Sequence, residues 1–211
     1  MTTDDRRRAI LECAARLFHH YGQAKTTVAD IAREAQVGVG TFYLVFPSKE
    51  AIVEELSSSA HVRVLHAMRE VAEARSYDSF GERIAGVLEV RVAKFQELAS
   101  EGQHACELVH CASGPVKAVH ARFREDEAKL LEEIVGDARK SGEIAPVDVK
   151  RVVRLVQRAY ATLSPPWLFE QPAGEAQRVA HEMCRLLLLG LLMRGDRDDV
   201  TTAPRGRRRR Q

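Results

Sequence analysis

No run of apolar residues in this chain is long enough to cross a bilayer: the longest, residues 186–193, is interrupted by Gly190 and falls far short of the roughly 20 residues required. An export signal is missing too, since Thr2-Thr3-Asp4-Asp5-Arg6 opens the chain without an apolar region behind its charges, so a cytoplasmic location with no membrane partner is expected. Cysteine is sparse and scattered, at Cys13, Cys106, Cys111 and Cys184, which points to free thiols rather than a disulfide framework. Strand signals are few and no internal repeat stands out. The chain also lacks the constellations of an enzyme: no paired nucleophile and base, no phosphate-cradling glycine loop, and no ligand set beyond one weak Cys/His group. Neither catalysis nor a cofactor is expected.

Charge of one sign is lacking as well. The net charge of +2 conceals a local excess, because Arg205, Arg207, Arg208, Arg209 and Arg210 crowd the last seven residues. Taking those five from 32 basic residues leaves 27 against 30 acidic ones, a balance of −3 for the rest of the chain. Residues 1–50 hold seven basic and six acidic residues. The body is therefore no basic coat, and any nucleic-acid binding must rest on placement rather than bulk charge.

What is present is concentrated in residues 26–50. Thr27 can cap a helix while Asp30, three residues on, reaches back to the Thr27 amide. Ile31, Ala32 and Ala35 share one face, and small Ala32 allows a close helix crossing. Gln36-Val37-Gly38 supplies a tight turn. From Val39 the chain is helical again, with Phe42, Val45 and Phe46 facing inward and Gly40, Tyr43 and Leu44 outward. Pro47 ends that helix and Ser48 caps the next. Two short helices joined by a turn over about residues 27–46, followed by a third, form the geometry that sets one helix into the DNA major groove.

This block resembles the DNA-binding domain of the TetR (tetracycline-repressor) family of bacterial transcription regulators. The resemblance lies in Ala15 to Phe18 ahead of Tyr21-Gly22, in Thr26-Thr27-Val28-Ala29-Asp30-Ile31-Ala32, and in Val37-Gly38-Val39-Gly40-Thr41-Phe42-Tyr43 leading to Phe46-Pro47-Ser48-Lys49-Glu50. It implies an all-α protein: residues 1–50 as a three-helix helix-turn-helix domain and residues 51–195 as a larger helical effector-binding and dimerisation domain; residues 196–211 lack apolar periodicity and read as a disordered basic tail. It implies operator contacts at Gly40, Thr41 and Tyr43, a backbone contact at Lys49, and phosphate binding at Thr27. Arg6, Arg7 and Arg8, read as lying ahead of the first helix, could reach the adjacent DNA backbone or groove. Val39 and Leu44 can meet thymine methyls but cannot read guanine as Arg would. Gly38, Val39 and Val45 depart from the family's usual Ser, polar or basic residue, and His, so the operator's sequence is not legible here.

The remaining pattern predicts helices over residues 49–74, 79–100, 104–112, 115–140, 147–163 and 173–194. Val149, Val152, Val153, Val156, Ala159, Tyr160 and Leu163 make one apolar stripe. The last helix, with Val179, Met183 and residues 186–192, is apolar nearly all round and needs partners on more than one side. By the resemblance, this final pair packs against its copy in a homodimer, and a dimer reads two half-sites of double-stranded DNA. A small apolar effector, again by resemblance, binds in the larger domain and shifts the helix that starts at Lys49, as in a repressor released from its operator. Phe95, His110, Tyr160 and Trp167 are the effector-site candidates. Cys106 and His110, one helical turn apart, are weak metal-ligand or redox candidates. The alternatives are therefore a metal- or thiol-responsive regulator of the same fold, or an architectural DNA-binding protein with no effector.

Overall fold

Paired capping signals decide where the first helices begin. In the computed structural model, which describes residues 2–74, 77–110, 114–172 and 174–192, α1 (Thr3–Tyr21) opens with Thr2 accepting from the Asp5 amide while Asp5 accepts from the Thr2 amide. α2 (Val28–Glu34) opens with the same reciprocal pair, Thr27 and Asp30. Each such cap is worth about 1 kcal/mol. α3 (Val39–Val45) follows, with Gly38 at its cap, and Pro47 separates it from α4 (Lys49–Glu73), which Ser48 caps through the Ala51 amide. Because α1 begins at Thr3, Arg6, Arg7 and Arg8 sit in its first two turns. The reading of these residues as an arm ahead of the first helix is corrected: the Thr2/Asp5 box had already started the helix.

Beyond α4 come α5 (Phe80–Ser100), α6 (Glu107–His110), α7 (Gly114–Ser141), α8 (Val149–Ala159) and α9 (Glu175–Leu192). The chain is all-α among the described residues. Two differences from the sequence pattern have local causes. The helix expected over 147–163 is regular only to Ala159 and tightens into a 3-10 turn over Tyr160–Leu163, because Pro165 and Pro166 supply no amide to continue the ladder. The helix expected over 104–112 begins only at Glu107, since Gly102 and the turns after it make a contact with α1; residues 111–112 lie outside the described residues. The tail, residues 196–211, lies outside the described residues.

Buried side chains gather into two cores. One holds Ile10, Ala14 and Phe18 of α1, Ile31 and Ala32 of α2, and Phe42 and Phe46 of α3 and its cap, along with Ile52 and Val53 of α4. Leu108 of α6 and Val116 of α7 also enter it, so this core draws on residues beyond the first 50. The other is built by α4, α5, α7, α8 and α9 around Val64, Met68, Leu88, Phe95, Leu131, Ile134 and Tyr160. Each large side chain so buried contributes about 1.5–3 kcal/mol of hydrophobic stabilisation. α4 and α7 each carry residues of both cores, so these two long helices run continuously between them.

Candidate nucleic-acid interface

α3 separates its faces cleanly. Phe42 is wholly buried and Phe46 nearly so, with their rings 6.2 Å apart, while Val45 is half-buried against the same core. On the opposite side Val39, Tyr43 and Leu44 are exposed, Leu44 at 85%. Gly40 is exposed too, and a methyl group placed on it would meet no atom within 4 Å. Thr41 is half-buried beside them. The Tyr43 ring stands edge-on to Phe42 at 5.4 Å, and its hydroxyl has no partner among the described residues.

A glycine inside a helix costs about 1 kcal/mol relative to alanine. Gly40 has ordinary negative φ and faces open space, so neither backbone conformation nor internal packing requires it. Nothing within the chain therefore accounts for a glycine at this position. Four exposed positions on one short helix, three of them large and apolar or aromatic, form a surface shaped for contact.

The surrounding polar residues fall into two groups. Arg6 is exposed, and its guanidinium is unpaired among the described residues. Lys25, exposed and likewise unpaired just ahead of α2, was not singled out in the sequence. Its position beside the Thr26-Thr27 start was the available signal. Arg7, by contrast, is engaged: it pairs with Glu55 of α4, donates to the Val45 carbonyl at 3.4 Å, and stacks over the Phe46 ring at 4.4 Å. It braces α1 against α3 and α4. Arg8 pairs with Asp5 at 3.4 Å.

Lys49 is also committed, donating to the carbonyls of Gln23 and Thr26 at 2.8 and 2.9 Å, and so fastens the loop before α2 to the start of α4. Thr27 uses its amide and hydroxyl on Asp30. Those hydrogen bonds hold the Asp30 carboxyl below its ordinary pKa and so ionised. A carboxylate therefore occupies the start of α2, where a phosphate was expected. Thr27, Arg7 and Lys49 are thus engaged within the chain, whereas Arg6, Val39, Gly40, Tyr43 and Leu44 are exposed and Thr41 is half-buried beside them.

Of the effector-site candidates, Phe95, Tyr160 and Trp167 do not converge. Phe95 is sealed in the core, its ring 5.5 Å from Phe123 and 5.3 Å from the Arg91 guanidinium. Tyr160 donates to the Ala180 carbonyl at 2.6 Å and ties the end of α8 to α9; burial pushes its pKa up. Trp167 is 55% exposed, because the turn after Pro166 carries it outward. The side chain of His110 lies outside the described residues, as does Cys111. Burial and the neighbouring Glu107 raise the Cys106 pKa, the reverse of what an activated thiol needs. No three metal-binding side chains cluster among the described residues, and no described helix is long and apolar enough to cross a membrane.

Residues 10–56, spanning α1 through the first turns of α4, match the model of the bacterial regulatory proteins of the tetR family. The HTH-type transcriptional repressor KstR2 of Mycobacterium tuberculosis is 27% identical over 201 residues, which is 91% of this chain and 96% of its own length. The uncharacterized HTH-type transcriptional regulator YhgD of Bacillus subtilis is 25% identical over 184 residues, 83% of this chain and 91% of its own. Among solved structures, the SmeT–triclosan complex superposes with a TM-score of 0.67 at 17% identity, covering 96% of this chain and all of that one. With an outward-facing second helix of a helix-turn-helix and these similarities, residues 10–56 carry the DNA-binding helix-turn-helix of the tetR family of bacterial regulatory proteins, and the chain as a whole is similar to transcriptional regulators of that kind.

Proposed function

We propose that the protein is a repressor which binds a two-fold operator as a homodimer, inserts α3 into the major groove, and loses affinity when a small molecule binds its larger helical part. Residues 1–50 serve as the DNA-binding unit and residues 51–195 as the effector-binding and dimerisation unit, in the cytoplasm. The observation that carries the DNA-binding geometry is the bare outer face of α3, above all Gly40 with nothing near it. A helix side that lacks even a β-carbon lets the sugar–phosphate wall of a groove come close. Thr41 and Tyr43 supply hydroxyls for phosphate contact, Val39 and Leu44 apolar contact with thymine methyls, and Arg6 a cation for the flanking backbone.

Dimerisation through α8 and α9 is supported by Leu155, Leu186 and Leu189, all more than half exposed on the last two helices. Apolar side chains of that size at one end of the molecule suit a self-complementary two-fold interface. Effector control is supported by α4 carrying residues of both cores, so a ligand that favours one setting of this helix biases the spacing of two α3 helices. KstR2 is named a repressor and SmeT was solved with triclosan, which fits the same mode of action.

In vitro selection from random duplex DNA tests this reading. Enrichment of a palindrome with half-sites one helical turn or more apart is expected; recovery of unrelated sequences with no two-fold pattern contradicts it.

A further inference from the structure

Most arginines of α1 to α7 have a carboxylate partner, as Arg16 has Glu34 and Arg63 has Glu101. On α8 none does. Its exposed side chains are Lys150, Arg151, Arg154, Arg158 and one leucine, Leu155, and the four cations are all unpaired among the described residues. The helix contains no acid to answer them. Lys150, Arg154 and Arg158 follow one another at spacings of four, where like charges destabilise a helix unless an anion comes from elsewhere.

Arg151, Leu155 and Arg158 share one face of α8, with the leucine between the two guanidinium groups. α9 carries the opposite arrangement. Glu175, Glu182, Leu186 and Leu189 recur at spacings of seven, four and three, which puts them on one face as well. All four are exposed, and neither glutamate is paired among the described residues. Within one chain α8 packs on α7 and α9 on α5, and no ion pair joins α8 to α9 among the described residues.

The two sets of charges have matching spans. Arg151 to Arg158 and Glu175 to Glu182 are each separated by seven residues, two helical turns or about 10.5 Å. When an α8 lies along an α9, both ion pairs therefore close together. Leu155 then falls opposite the middle of the glutamate pair, beside half-buried Val179, and Leu186 and Leu189 extend the apolar contact beyond one end. A nucleic acid would satisfy the cations of α8 but set its phosphates against the glutamates and leucines of α9. A second copy of this chain satisfies both faces at once.

We infer that α8 of one chain docks along α9 of a second copy through an ionic seam, Arg151 and Arg158 of one pairing with Glu175 and Glu182 of the other around a core of exposed leucines. A two-fold axis makes the contact twice, for four ion pairs in the dimer. The seam rests on the homodimer reading above and adds what selects the partner: a basic α8 and an acidic α9 face match a chain of the same sequence and turn away one whose last helix is basic.

Sedimentation equilibrium of the full chain tests the seam with two double variants. Arg151→Glu with Arg158→Glu makes both faces acidic, and Glu175→Arg with Glu182→Arg makes both basic. Each variant alone should be monomeric at a concentration where the native chain is dimeric, with helical content unchanged. Their equimolar mixture should recover the dimer, since every acidic face then meets a basic one. The dissociation constant of the native dimer should rise about tenfold or more between about 50 and 500 mM salt, and this series gives the readout if a variant does not fold. A variant that dimerises alone as tightly as the native chain, a mixture that stays monomeric, or a native dimer indifferent to salt overturns the seam and leaves the homodimer reading standing. A native chain that is monomeric at micromolar concentration overturns both.

Discussion

Gly40 concentrates the argument at the scale of single residues. If its bare backbone exists for an external partner, Gly40→Ala should stabilise the folded chain by about 0.5–1 kcal/mol, since the new methyl gains helix propensity and meets nothing. The same substitution should weaken operator binding tenfold or more, so melting temperature and affinity move in opposite directions. Arg6→Ala should instead lower the salt dependence of binding by about one ion, because a lone phosphate contact contributes counterion release and no sequence selectivity. A histidine pair, His61 on α4 and His120 on α7, has a separate signature: the rings are 5.6 Å apart, and each keeps a ring nitrogen without a partner among the described residues. Burial and the charges of Arg91 and Arg124 hold His120 down at about 4, and His61 is lowered too, despite Glu127 pulling His120 the other way. An unfolded chain takes up protons near pH 6.5 that the folded one refuses, so stability is retained above that pH and declines from there toward pH 4. Lowering the pH from 7 to 5 should cost about 1–2 kcal/mol, or a few degrees of melting temperature, and His120→Phe should flatten that slope. The neutral, orphaned character of these rings could not be read from the sequence, because it depends on helices α4, α5 and α7 meeting across 30 to 60 residues of chain.

Among the elements, α1 depends on contacts that local pattern does not display. Arg7→Ala should destabilise the protein by about 1 kcal/mol, read by chemical denaturation, since it removes the link from α1 to the α3 carboxyl end and to Glu55. Gly102→Ala should cost more: a methyl there would stand 2.9 Å from the His19 carbonyl and 2.7 Å from its β-carbon, prising α1 from the turns ahead of α6. At that junction the His104 amide donates to His19 and the Gln23 amide to Glu107. The helix-turn-helix was legible because caps, turn and inward face are all set within a few residues, as Thr27 with Asp30 and Phe42 with Phe46 show. The roles of Arg7 and Lys49 were not, because their partners lie 23 to 48 residues away. The start of α1 was legible and missed, Thr2 and Asp5 repeating the spacing of Thr27 and Asp30. The helical nature of residues 147–163 was correctly read, but the tightening after Ala159 turned on the two prolines beyond it.

At the scale of the whole molecule, two cores share the long helices α4 and α7, and the exposed leucines are far apart in the sequence: Leu44 on α3, and Leu155, Leu186 and Leu189 on α8 and α9. On the proposed reading the first faces DNA and the others form the two-fold interface. Leu186→Glu with Leu189→Glu should give a monomer by light scattering at micromolar concentration, with helical content preserved, because neither side chain is needed inside its own chain. With a near-neutral first 50 residues, operator affinity must come from how well α3 fits the groove and not from charge alone. Leu44→Glu puts that fit to the most direct test, since Leu44 is 85% exposed and its replacement leaves both cores intact. Fluorescence anisotropy with the selected operator should show at least a hundredfold loss of affinity with an unchanged melting temperature, as a carboxylate is driven against the DNA. Native affinity in Leu44→Glu would contradict the docking of α3.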